Sequence, residues 1–214
     1  MDKILIIAGT HGQEPQSTYV ARQLIEILGL KLKSSEPFDF YQGEKIDIIP
    51  DLNRYGLEHC TRGNANGVDL NRNMPSSNWS AKHSHPGYYP GNHAASEIET
   101  KALIEIIQQC IINYGLCKIV SIHTNHFVAN ANEPQLNYDG SDKSLEFAQS
   151  LADRLELPLT RDIGYPTPGS LGSYCKENNI DCMTLELDDN LDNEETWQRY
   201  GIKLAKAIDK MVSG

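Results

Sequence analysis

The chain reads as an α/β protein: a mixed, mostly parallel sheet with helices on both faces. Three observations predict this. Short, unbroken apolar runs alternate with longer segments of helical periodicity. The apolar runs lack the alternation of a sheet with one wet face, so their strands are buried on both sides. The 214 residues suffice for one sizeable core, and no repeat or linker divides them, so a single domain over 1–214 is expected.

The elements follow in order. Lys3 to Ala8 is a buried strand closed by Gly9. Pro15 to Leu28 is a helix, with Val20, Leu24, Ile25 and Leu28 at helical spacing on one side. Ile46 to Ile49 is a second strand, stopped by Pro50. From about Asp51 to Asn92 the chain is rich in Asn, Gly, Pro and aromatics and has little periodicity; a loop this long in a compact domain is usually functional. Ser96 to Tyr114 is a helix. Ser96 and Glu99 are spaced as a capping box, and Ile98, Ala102, Ile106 and Cys110 form its apolar stripe. Lys118 to Ile122 is a buried strand ending at His123, and Ser144 to Leu155 a helix. Leu159 to Ile163 is a strand, Ser170 to Asn178 a short helix after a Pro-Gly turn, and Cys182 to Leu187 a strand. Asn193 to Met211 is the closing amphipathic helix.

A formal charge of −10 and a pI near 5.1 argue against a nucleic-acid or membrane surface as partner. The apolar N-terminal run is too short for a signal peptide or a membrane span. Five cysteines, an odd number with no CxxC pair, read as reduced thiols of a cytoplasmic protein.

In sheets of this kind ligands bind beyond the carboxyl ends of the strands. His11 and Glu14 follow the first strand in Gly9-Thr10-His11-Gly12-Gln13-Glu14, His123 ends the Lys118–Ile122 strand, and Glu186 lies near the end of the last one. A His-x-x-Glu pair places an imidazole nitrogen and a carboxylate on one ion, and a distant His supplies a third ligand. Two His and one Glu with an open position form a catalytic zinc set. The open position holds water, whose pKa the metal lowers towards about 7. A second carboxylate then takes the proton and passes it to a leaving amine, and Glu186 suits that role. His126 is near enough in sequence to be mistaken for the ligand, and a salt bridge is the alternative use of Glu186.

Asn64-Ala65-Asn66-Gly67-Val68-Asp69-Leu70-Asn71-Arg72-Asn73 resembles the substrate-binding signature of the zinc carboxypeptidases. Gly9–Glu14 resembles that family's first metal motif, Ser121-Ile122-His123 its second, and Thr184-Leu185-Glu186-Leu187 the strand of its catalytic Glu; the four occur in the family's order. The resemblance implies one zinc ion on His11, Glu14 and His123, with Glu186 as base. It implies that Asn71 and Arg72 grip the substrate's terminal carboxylate. It makes Arg62 the residue that polarises the scissile carbonyl, Arg54 being a rival, and Tyr165 a mobile tyrosine over bound substrate.

Asp162-Ile163-Gly164-Tyr165-Pro166-Thr167-Pro168-Gly169-Ser170-Leu171-Gly172-Ser173-Tyr174 further resembles the murein peptide amidase group of that family. This implies a small peptide substrate such as L-alanyl-γ-D-glutamyl-diaminopimelate, cut at its γ-D-glutamyl–diaminopimelate bond. The chain departs from the group at Thr124 to Asn132, which replaces a short Ala-Pro-Leu-Gly-like segment beside the metal. Asp139 and Asp142 are candidates to meet the second amino group of diaminopimelate. An aspartoacylase-like zinc deacylase of N-acyl amino acids is the alternative, having a similar HxxE and Asp-Leu-Asn-Arg pattern.

Overall fold

The computed structural model describes residues 3–115, 117–125, 133–138, 144–161, 163 and 165–213. Its strands are β1 (Lys3–Ile7), β2 (Lys31–Ser34), β3 (Phe40–Gln42), β4 (Ile46–Ile49), β5 (Cys117–Thr124), β6 (Gln135–Tyr138), β7 (Leu159–Thr160) and β8 (Asp181–Leu187). Its helices are α1 (Pro15–Leu28), α2 (Arg54–His59), α3 (Ile98–Tyr114), α4 (Ser144–Leu155), α5 (Leu171–Glu177), α6 (Asn193–Thr196) and α7 (Ile202–Ser213). One eight-stranded sheet runs β2-β3-β4-β1-β5-β8-β6-β7. Its centre, β4, β1, β5 and β8, is parallel. β3 and β2 add an antiparallel edge, and β6 pairs antiparallel with β8 and carries β7 parallel beside it.

Strand alternation divides the core in two. Ile4, Ile6, Val120, Ile122, Met183 and Leu185 pack with residues of α1, α4 and α7. Leu5, Ile7, Ile119 and Cys182 face the other way, towards α3 and α5. Along β5 and β8 this second face changes character: Ile119 and Cys182 give way to Ser121 and Thr184, then to His123 and Glu186. Apolar packing beneath thus supports polar chemistry at the carboxyl ends.

The mixed, mostly parallel sheet and its two helical layers match the expectation; several details differ. β2 and β3 form an edge hairpin. β2 is exposed throughout, and its Lys31-Leu32-Lys33-Ser34 has the charged character of a protected edge, with no apolar run to signal it. The long Asp51–Asn92 stretch contains α2 and 3-10 turns at Leu70–Arg72 and Pro86–Tyr88. The capping box of α3 does not form: Glu97 is the N-cap, and Glu99 accepts hydrogen bonds from Asn64. The stripe of α3 is also rotated, because the helix carries isoleucines on both sides. Thr100, Leu103, Ile107 and Cys110 are buried and Ile98 is exposed. The expected strand from Leu159 ends at Thr160, and His123 lies within β5, which continues to Thr124. The closing helix is interrupted by a π-helical turn at Trp197–Gly201. Cys110, Cys117, Cys175 and Cys182 are buried free thiols, and Cys60, the C-cap of α2, is exposed. Among the described residues no helix is long and apolar enough to cross a membrane.

Candidate active site

Gly9 leaves β1 at φ +66, and the chain turns through His11 to Glu14, the N-cap of α1. Pro15 begins that helix, where its missing N–H costs nothing. Gly12 lies against α2: a Cβ there would stand 1.8 Å from the Gly56 carbonyl oxygen. Its N–H donates to Thr61 O at 2.9 Å, so the metal-motif loop is tied to the loop that carries Arg62.

Glu14 bridges two imidazoles. His11 Nδ1 lies 2.6 Å from Glu14 Oε1, and His123 Nδ1 lies 2.9 Å from Oε2. All three residues are buried, and one ligand atom from each lies within 4.8 Å of the others. Burial by itself raises the Glu14 carboxyl; the His11 and His123 imidazoles outweigh it and hold the group well below the usual carboxylate range. His11 Nε2 lies 3.1 Å from Asp69 Oδ1. With Nε2 donating to Asp69, His11 keeps Nδ1 as a possible ligand atom, and the Glu14 carboxylate and a ring nitrogen of His123 complete a nitrogen-and-oxygen set of the kind zinc takes. The donor set therefore fits a divalent ion.

Asp69 had no assigned role in the sequence, where an Asp in an Asn/Gly loop reads as a turn residue. It is fully buried and joins the parts of the site. Oδ1 accepts from the Asn71 N–H at 2.9 Å as well as meeting His11, and Oδ2 accepts from Arg62 Nε at 2.8 Å. Burial raises the Asp69 carboxyl, but Arg62 and His11 reverse this and hold it well below the normal range. Its signal in the sequence is its place two residues before the Asn71-Arg72 pair.

Arg62, Asn71, Arg72, Tyr165 and Glu186 line one open cleft with His11, Glu14 and His123. The Arg62 and Arg72 guanidinium carbons lie 5.0 and 5.3 Å from the centre of the Tyr88 ring, a cation–π contact for each. Asn71 Oδ1 accepts from the Leu171 N–H at 3.0 Å, so its NH₂ is the donating end. Gly169, at φ +69, lets the Tyr165 loop rest on Arg72; a Cβ there would stand 2.2 Å from Arg72 O. Burial pushes the Tyr165 phenol up, Arg72 opposes this and Glu186 adds to it, so the group remains a proton donor at neutral pH. Glu186 is buried and pairs in register with His123 across β5 and β8. Arg54, the rival to Arg62, points elsewhere: its guanidinium is held by Asp39 and Asp51. His126, Asp139 and Asp142 lie outside the described residues, as does most of the divergent segment after His123.

A buried His–Glu–His cluster at the carboxyl edge of such a sheet is the donor set of a metal-dependent hydrolase. A family profile described as zinc carboxypeptidase matches residues 1–214. The chain is similar to murein peptide amidase A of Escherichia coli K12, at 31% identity over 215 residues that span 95% of this chain and 78% of that one. It is similar to murein peptide amidase A of Vibrio campbellii, at 31% over 183 residues, 86% of this chain and 68% of the other. Among solved structures it resembles the murein-tripeptide amidase MpaA from Escherichia coli O157 with a TM-score of 0.72 and 28% identity, over 95% and 80% of the two chains. Bovine thrombin-activatable fibrinolysis inhibitor shares the fold, with a TM-score of 0.74 at 19% identity over 100% of this chain and 83% of that one. The chain belongs to the zinc carboxypeptidase family, and it is a zinc-dependent peptidase hydrolase.

Proposed function

We propose that residues 1–214 are a single catalytic domain that hydrolyses the γ-D-glutamyl–diaminopimelate amide bond of murein peptides, as a cytoplasmic step of cell-wall recycling. His11, Glu14 and His123 would hold one zinc ion per chain, and a small peptide is the partner. The observation that supports this reading is the in-register pairing of His123 with Glu186, which sets a second carboxylate beside the cluster that would hold the metal. The murein peptide amidase names of the relatives support the substrate class.

A divalent ion in the cluster supplies Lewis acidity, acidifying a water and polarising a carbonyl. The protein's own groups do the rest. Asn71 and Arg72 clamp the substrate's terminal carboxylate and thereby register the scissile amide. Arg62, held in place by Asp69, stabilises charge developing on the carbonyl oxygen. Glu186 removes a proton from the attacking water and delivers it to the departing amine. Tyr165 donates its phenolic hydrogen to bound substrate and covers the cleft.

Mass spectrometry of the zinc-loaded protein with L-alanyl-γ-D-glutamyl-diaminopimelate tests this. Free diaminopimelate should appear with the wild type and be nearly absent with Glu186→Gln, which should still bind zinc. No release from a zinc-loaded wild type rejects the proposed substrate; near-normal release by Glu186→Gln rejects the base.

A further inference from the structure

On the cleft side of the sheet, β5, β8 and β6 present two polar rows. His123, Glu186 and Gln135 are in register in the outer row. Ser121, Thr184 and Asn137 are in register in the inner row, one pleat deeper, and all three line the cleft. The mechanism above uses His123 and Glu186 of the outer row and leaves the inner one without a task. Asn137 is 1% exposed. Thr160 Oγ1 donates to its Oδ1, while its Nδ2 has no hydrogen-bond partner. A buried donor lacking an acceptor is costly and rare, and one that lines a binding cleft has a natural acceptor in the ligand.

The geometry points to Asn137 as the residue that selects the leaving amino acid, its Nδ2 donating to an acceptor at the end of that amino acid's side chain. This rests on the carboxypeptidase reading. With the leaving residue's carboxylate on Asn71 and Arg72 and its amide at Glu186, the inner row remains to meet the side chain. Asn137 and Glu186 are diagonal neighbours on paired strands, about 7–8 Å apart by strand geometry. The side chain of diaminopimelate is long enough to cover much of that distance, and it ends in a carboxylate. Lysine is of similar length but ends in an ammonium alone, so it brings a donor to a donor. The selected class is therefore a long side chain with a terminal oxygen acceptor.

The test compares kcat/KM for L-alanyl-γ-D-glutamyl peptides ending in diaminopimelate or lysine. Wild type should favour diaminopimelate by about tenfold or more, as sites built around a hydrogen bond discriminate against ligands that cannot make it. Asn137→Leu should lower that ratio about tenfold, chiefly through KM, and Asn137→Asp should shift preference towards lysine. Free diaminopimelate should also inhibit the wild type more strongly than free lysine, a comparison that needs no variant to fold. Unchanged ratios in both folded variants, or equal inhibition by the two amino acids, overturn the assignment of Asn137. A wild type that cleaves neither peptide overturns the proposed substrate on which the assignment depends.

Discussion

Asp69 shows how much of the site depends on a residue expected to touch no substrate. One carboxylate meets His11, the Asn71 amide and Arg62, so it orients the proposed metal ligand, clamp and oxyanion group together. Asp69→Asn keeps the shape but replaces one anionic oxygen with a donor that faces Arg62 or His11. Zinc affinity or kcat/KM should fall about 10–100-fold, the usual cost of losing a partner behind a metal ligand; competition with a chromophoric chelator measures the first. Arg62→Lys should lower kcat about 10²–10³-fold with zinc content unchanged, since the oxyanion donor goes and the ligands stay; steady-state kinetics beside elemental analysis separates the two. The sequence displayed the residues that line the cleft because their types carry chemistry wherever they occur: imidazoles, a Glu in an apolar strand, an Arg beside an Asn. Asp69 and Asn137 were not legible. Asp is common in turns and Asn unremarkable in a short strand, and only the folded chain shows one surrounded by partners and the other lacking one.

Among the elements, those marked by unbroken apolar runs or a clear stripe were legible: β1, α1, β4, β5 and β8. β2, β3 and β6 were missed because their neighbours, not their composition, make them strands; β6 has Gln135 and Asn137 on its cleft side, where an apolar pattern would be needed for recognition. The Gly12 contact with α2 should be equally dependent on tertiary structure. Gly12→Ala places a methyl against backbone that cannot move aside, so stability should fall by about 1–3 kcal/mol, with weakened zinc binding; thermal melts with and without zinc report both. Behind the cleft, Lys3 Nζ and Asp47 Oδ1 form a buried pair at 2.9 Å linking β1 and β4. Lys3→Met should cost about 3–5 kcal/mol by stranding Asp47, and adding Asp47→Leu should recover most of it. Burial pushes the Asp47 carboxyl up, with Lys3 opposing. A folded pKa above the unfolded one means that ionisation costs stability as pH rises through the interval between them. Lys3→Met should therefore regain melting temperature relative to wild type on acidification through the carboxylate range, and parallel pH profiles would refute the pairing.

For the whole molecule, the proposed zinc links the loop after β1 to the end of β5 and so should stabilise the entire fold. At a free zinc concentration of 100 Kd the linkage is worth about 2.7 kcal/mol, or roughly 5–10 °C in a domain of this size. Chelation should lower the melting temperature by that amount, and His11→Ala should show no response to zinc. The site groups all lie on the α3 and α5 side of the sheet or at its carboxyl edge, while α1, α4 and α7 close the opposite face. Against that arrangement, the thiols acquire a practical meaning. Four are sealed in the core, and the fifth, Cys60, stands in the open two residues before Arg62. A maleimide dye would therefore attach at one place without any engineering, within the loop that contributes the arginine proposed to polarise the carbonyl. The native chain already has the layout of a one-colour optical sensor, with its reporter two residues along the chain from a side chain that lines the cleft.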